Sequence, residues 1–123
     1  MMRGWVTADR EAIIELEVLG AGNRRAHVEA VVDTGFTQAM AIPRWLVDQL
    51  ALERCGGIEV VLADGSVVIT DIYKCRVIWQ GAQLIVDAYC LESKPLAGMA
   101  LIWHHLLTVH AIEDGAVSIS AAP

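Results

Sequence analysis

The sequence predicts a small, mostly β, barrel-like domain with one or two short helices. Turn signals recur at short intervals, and the stretches between them are rich in Val and Ile, the rhythm of an all-β chain. Helical spacing of apolar residues is confined to two short segments. At 123 residues, one domain spanning 1–123 is expected.

The elements follow in order. Ala12 to Leu19 alternates, imperfectly, around Ile13-Ile14, Leu16 and Val18, and Gly20-Ala21-Gly22-Asn23 then turns the chain. His27 to Val32 returns as a strand leading into Asp33, and Ala39 to Ile42 is a further short strand. Pro43 to Leu50 reads as a helix, with Pro at its first position and apolar Leu46, Val47 and Leu50 at helical spacing. Asp64-Gly65 between Ile58–Ala63 and Val67–Tyr73 marks a hairpin. Gln80-Gly81 separates Tyr73–Trp79 from Gln83–Tyr89 in a second hairpin, and Glu113-Asp114-Gly115 separates Leu106–Ile112 from Ala116–Ser120 in a third. Ala100 to His105, after Gly98, is a short helix candidate. No repeat, low-complexity segment or linker interrupts this order.

Composition bounds the function. Hydrophobic residues make up 55% of the chain and charged ones 20%, a surplus of apolar surface for so small a domain, so an oligomer is expected. The net charge of −6 argues against nucleic acid as a partner, because phosphate binding needs clustered Lys and Arg. The one basic pair, Arg24-Arg25, reads as a solvated turn. Three cysteines, Cys55, Cys75 and Cys90, without CxxC spacing fit a reducing compartment and buried free thiols. No apolar h-region follows the N-terminus, so a secretory signal is not expected. No apolar run approaches the ~20 residues of a membrane helix. A cytoplasmic protein without a membrane partner is the expectation, with no large pro-segment ahead of the first strand.

Asp33-Thr34-Gly35 carries the chemistry. It follows Val28 to Val32, broken only by Glu29, and precedes Phe36-Thr37. That context reads as a buried strand ending in a tight turn that presents one carboxylate beside two hydroxyls, suited to acid–base work. A surface turn has no need of Val31-Val32 before it and Phe36 after it. The triplet occurs once, so a reaction needing two carboxylates requires a second chain: a homodimeric aspartic peptidase.

Other candidates carry less. His104-His105 point about 100° apart if helical and lack HExxH or Cys/His spacing, so no metal is expected. Trp5, Trp45, Trp79 and Trp103 read as core or dimer contacts. Asp64, Asp71 and Asp114 read as turn or solvent-face carboxylates, and Asp87, inside an apolar strand, as the one candidate exception. Cys75 and Cys90 fall on neighbouring predicted strands.

A second apolar-apolar-Gly element lies downstream in Pro95-Leu96-Ala97-Gly98-Met99-Ala100-Leu101-Ile102. The two elements, in this order and with a Gly-tipped hairpin between them, resemble the retropepsin-like aspartic proteases over nearly the whole chain. The similarity is greatest to the small single-domain bacterial and archaeal clan AA proteases with an Asp-Thr-Gly-Phe motif, here Asp33-Thr34-Gly35-Phe36. The resemblance implies a retropepsin-like acid-protease half-barrel, homodimeric, cleaving extended peptide segments without metal or cofactor. It implies Asp33 as the catalytic carboxylate within Asp33-Thr34-Gly35, and Thr34 as the hydroxyl that bonds across the dimer axis. It gives Thr37 as a hydroxyl donor to the carboxylate's outer oxygen, and Leu96, Ala97 and Gly98 as the supporting loop. The flap spans Val61–Val68, with Asp64, Gly65 and Ser66 at its tip over the substrate. Met99–His105 would be the following helix and Leu107–Ile112 the closing strand. Met1–Thr7 and Ala116–Ser120 would build an intersubunit sheet. Two departures stand out. Many relatives carry a polar residue just after the second Gly, where this chain has Met99 and Ala100, and the flap tip holds only one glycine, Gly65, beside acidic Asp64. The rival readings are a non-catalytic dimerisation or peptide-binding module of the same fold, and a β-barrel whose Asp-Thr-Gly is only a turn.

Overall fold

A computed structural model describes residues 1–122. Its elements are β1 (Met2–Val6), β2 (Ala12–Leu19), β3 (Arg25–Asp33), β4 (Met40–Ile42), α1 (Arg44–Leu50), β5 (Glu53–Val61) and β6 (Val67–Trp79). They continue with β7 (Ala82–Cys90), β8 (Leu96–Gly98), α2 (Met99–Ile102), β9 (His105–Val109) and β10 (Ala116–Ala121).

Alternation sets the pairing. In β3, Val28 and Ala30 are buried while Glu29 between them faces solvent, the period-two pattern of a half-buried strand. β3 runs antiparallel to β2 with Leu16 opposite Val28 and Ile14 opposite Ala30, so their apolar side chains share one face of the sheet. The six strands β6, β7, β4, β8, β3 and β2 follow one another, and β2 returns to β6 through Val18–Val77 and Leu19–Arg76, closing a barrel. The Arg76 guanidinium spans that seam and donates to the Gly20 carbonyl at 2.7 Å. Ile14, Leu16, Val18, Met40, Ile42 and Val77 fill the interior, and α1 adds Leu46 and Leu50 to it.

The predicted hairpins are present, with changed limits. The second and third elements of the predicted hairpin series are one continuous strand: β6 pairs with β5 from Val67 to Lys74 and with β7 from Ile72 to Trp79. Gln80 and Gly81 form the two-residue turn after it, both with positive φ (51° and 81°), as a type I′ hairpin requires. β9 stops at Val109, three residues before its predicted end, and is paired from His105.

Three expectations are corrected. Pro43 caps α1 in extended conformation (φ −74°, ψ 159°) instead of occupying its first turn, and its carbonyl accepts the Leu46 and Val47 N–H groups that open the helix. α2 is a single turn over Met99–Ile102, so His104 and His105 lie beyond it: His104 is left-handed (φ 64°) and His105 begins β9. The chain termini do not wait for a partner. β1 is paired on both sides, by β2 and β10, and β10 lies between β1 and β9. Both strands therefore have neighbours on each side within one chain over most of their length, Met2–Arg3 being unpaired toward β2 and Ser120–Ala121 toward β1. β5 and β9 end the strand order, and Arg25–Ala30 of β3 and Ala82–Asp87 of β7 likewise have a paired neighbour on one side only. Among the described residues no helix is long and apolar enough to cross a membrane.

Candidate active site

Asp33 is the last residue of β3 and is half-buried. Directly after it the chain turns, and the Phe36 N–H donates to the Asp33 carbonyl at 3.2 Å. The Gly35 N–H donates to Asp33 Oδ1 at 2.9 Å, so the side chain is oriented by its own loop. Among the described residues Oδ2 accepts no hydrogen bond. A side chain at position 35 would place its Cβ 3.3 Å from Oδ1, tight for a carbon against a carboxylate oxygen. Glycine leaves that approach open.

The downstream element holds this loop from below. β8 runs parallel to β3 with Val31 opposite Leu96, Val32 opposite Ala97 and Asp33 opposite Gly98. At the end of the strand, the Gly98 N–H donates to the Ala39 carbonyl at 2.8 Å and, just after it, the Met99 N–H to the Phe36 carbonyl at 2.7 Å. The Phe36 ring meets Tyr89 of β7 edge-on at 6.0 Å. The loop is thus fixed at both ends and through its aromatic residue. Loops held in this way can present a group without reorganising it during a reaction. Leu96, Ala97 and Gly98 act on Asp33 through the backbone, and Met99 and Ala100 add no polar side chain to it.

Thr34 is exposed and borders an apolar groove shared with Met99, Ile102, Trp103, His105 and Leu107. Its hydroxyl makes no hydrogen bond within the chain among the described residues. Thr37 is also exposed, and the hydrogen bonds reaching Asp33 do not include one from its hydroxyl.

The β5–β6 hairpin ends in a five-residue loop, Leu62–Ser66, wider than the Asp-Gly pair alone suggests: Val61 is the last residue paired, opposite Val67. Gly65 takes the left-handed conformation (φ 84°). Asp64 Oδ1 accepts both the Ser66 hydroxyl, at 2.6 Å, and the Ser66 N–H, at 2.9 Å. Those two bonds hold the Asp64 carboxyl below the ordinary carboxylate range, the hydroxyl contributing most. Val61, Val67, Val68 and Ile69 stand exposed on this arm. Apolar side chains on a projecting hairpin are suited to cover an extended ligand.

An ion cluster escaped the sequence reading. Asp71 accepts from Arg54 Nε at 2.9 Å and from Arg44 at 3.2 Å, and Arg44 also donates to the Tyr73 hydroxyl at 2.6 Å. The Arg54 hydrogen bond leads in depressing the Asp71 carboxyl, and Arg44 adds to it. The local signal was there: Asp71 and Tyr73 are two apart, hence on one face of β6, and Tyr73 lies opposite Arg54. Arg44, 27 residues away from Asp71, carried none. Asp87 is paired with Lys74 at 2.6 Å and half exposed, a surface ion pair.

His105 is held between two groups. Trp79 Nε1–H donates to His105 Nε2 at 3.2 Å, which leaves Nδ1 to donate to the Trp103 carbonyl at 2.8 Å. No group of three or more His, Cys, Asp or Glu residues gathers as a metal site among the described residues. All three thiols are free, with Cys55 exposed and Cys75 buried.

Comparison with protein-family models, with curated proteins and with solved structures found no match to this chain.

Proposed function

We propose that the chain is a homodimeric aspartic endopeptidase in which Asp33 of each copy supplies half of a carboxylate pair. The observation that carries this reading is the loop: one carboxylate at a strand end, oriented by the Gly35 N–H and backed by a parallel apolar-apolar-Gly strand. A turn serving only to reverse the chain has no use for that clamp. Because the triplet occurs once, the second carboxylate comes from a second copy.

The chemistry follows from proximity. Two carboxyls ~3 Å apart do not both ionise, so the pair shares one proton; aspartic proteases are the standard case of this behaviour. The ionised member takes a proton from a water held between them as the water oxygen attacks the scissile carbonyl carbon. The protonated member donates to the carbonyl oxygen. Collapse of the tetrahedral species breaks the C–N bond, and the proton taken from water leaves with the amine. The substrate class is an extended peptide lying under the β5–β6 hairpins, whose exposed Val and Ile side chains suit apolar residues near the cleavage point.

A second reading is a catalytically weak or inactive peptide-binding dimer of the same fold. It is favoured by the single internal hydrogen bond to the Asp33 carboxylate and by the absence of polar side chains at Met99 and Ala100. Cleavage of a broad peptide library under mildly acidic conditions, with and without a statine-type transition-state mimic, separates the two. Mimic-sensitive cleavage supports the peptidase. Peptide binding without turnover supports the second reading.

A further inference from the structure

The two strands that end the sheet order, β5 and β9, differ in kind. An exposed strand edge invites pairing, and proteins blunt it with charges, bulges and short lengths. β5 is blunted: it carries Glu53, Arg54 and Glu59 and a register break between Arg54 and Gly56. β9 is not. His105-Leu106-Leu107-Thr108-Val109 contains no Lys, Arg, Asp, Glu or Pro and pairs without a break to β10.

The orientation of the β9 backbone can be assigned. The His110 N–H donates to the Ala116 carbonyl, and the His104 carbonyl accepts from the Ala122 N–H. Even-numbered residues therefore direct their peptide groups toward β10. By alternation, His105, Leu107 and Val109 direct theirs toward the free edge. Their side chains border the catalytic loop. Leu107 shares a groove with Thr34, and Val109 shares one of about 550 Å³ with Val32. The strand thus lines grooves that the residues on both sides of Asp33 also line.

We infer that β9 is the dimer seam: two copies join antiparallel, edge to edge, about a two-fold axis at Leu107. This rests on the reading of Asp33 as half of a two-chain pair, since that is what makes a second copy the occupant. About such an axis Leu107 pairs with itself and His105 with the partner's Val109, each exchanging N–H···O=C bonds. Leu106 then faces the partner's Thr108. The exposed Leu106 (53%) lies within the seam, and the exposed Trp103 (62%) lies just before the strand. The contact strip carries none of the chain's net charge of −6, so the paired strands set no like charges against each other. This seam replaces the sheet of chain termini, most of whose edges are taken up within one chain.

Sedimentation velocity on the intact chain tests the seam. Wild type is expected to be dimeric at micromolar concentration. In Leu106→Lys/Thr108→Lys, each lysine faces a lysine of the other copy, while both positions are solvent-facing in one chain. Val109→Pro removes an N–H that points outward and leaves the β10 bonds intact. Both variants are expected to weaken dimerisation at least tenfold with unchanged circular dichroism, whereas Val60→Lys on the β5 edge leaves it unchanged. A monomeric wild type, or folded β9 variants that remain dimeric, would overturn the seam. The readout is mass, not turnover. A β9-dependent dimer without peptidase activity rejects only the proposed function, and an active dimer indifferent to both β9 variants rejects only the seam.

Discussion

Gly98 lies so close to Gln38 that a Cβ at position 98 would fall 2.0 Å from the Gln38 carbonyl oxygen and 2.7 Å from the Phe36 ring. The contact is backbone on backbone, and the Gln38 carbonyl also accepts the Ala100 N–H. It couples the supporting strand to the loop that carries Asp33.

Gly98→Ala is therefore expected to cost stability and activity together. Overpacking of this kind costs about 1–3 kcal/mol, which for a domain of this size lowers the melting temperature by roughly 4 °C per kcal/mol. Residual activity should fall further than stability, because displacement of Phe36 moves the Gly35 N–H that orients the carboxylate. A variant with an unaltered melting temperature would mean that the two segments are not in contact.

Asp33→Asn is expected to lower peptide turnover by at least about 10²–10⁴-fold with melting temperature and dimer mass close to wild type. The amide keeps the shape and still accepts from Gly35 through its carbonyl oxygen, but neither holds nor releases the shared proton. Undiminished turnover of a purified sample would remove Asp33 from the chemistry.

The loop was legible in the sequence because its causes are local. Apolar Val31-Val32, a Gly that relieves crowding at Oδ1, and Phe36 as an anchor all lie within a few residues. The Gln80-Gly81 turn was legible for the same reason. The continuity of β6 was not, because it gains β7 as a neighbour at Ile72 and leaves β5 after Lys74 without any turn residue to mark the change. Nor were the parallel pairings of β3 with β8 and of β4 with β7, whose partners are distant in sequence. The largely filled edges of β1 and β10 depend on the whole sheet order, and no residue in either strand encodes it.

At the hairpin tip, backbone change is expected to matter more than side-chain change. Gly65 occupies a φ of 84° that a β-branched residue reaches only with strain, commonly about 1–3 kcal/mol. Gly65→Val should therefore lower activity several-fold with little effect on the melting temperature of the core. Ser66→Ala removes the hydroxyl bond to Asp64 and leaves the Ser66-position N–H bond in place, so its effect should be smaller. Equal and negligible effects on turnover would argue that this arm does not close on substrate.

Acid sensitivity should trace in part to Asp71. Arg54 and then Arg44 depress its folded-state pKa below that of the unfolded chain, ordinarily about 3.9. A depressed carboxyl adds stability that is fully present above the unfolded value and is lost as pH falls through the folded one. Urea midpoints of wild type should fall between neutral pH and pH values below about 4. In Asp71→Asn the neutral-pH midpoint should start lower and decline less. Parallel declines in both proteins would assign the acid sensitivity to other carboxylates.

Thiol reactivity should rank by burial. Cys55 is exposed and lies on β5, with Sγ 4.0 Å from Asp87 Oδ1. Cys75 is buried in the barrel between β6 neighbours, and loss of solvent around its thiolate pushes the thiol up to about 12. Cys90 is intermediate: burial raises it, and the Arg44 charge opposes that rise. The thiolate is the reacting species, so a disulfide reagent at mildly alkaline pH should label Cys55 in a fast phase and Cys90 in a slow one. Cys75 should react only at the rate of unfolding, and its rate should rise when denaturant is added while that of Cys55 does not. Cys55→Ser should remove the fast phase alone. A fast phase that survives this substitution would place a second thiol at the surface and would break the assignment of Cys75 to the closed interior of the barrel.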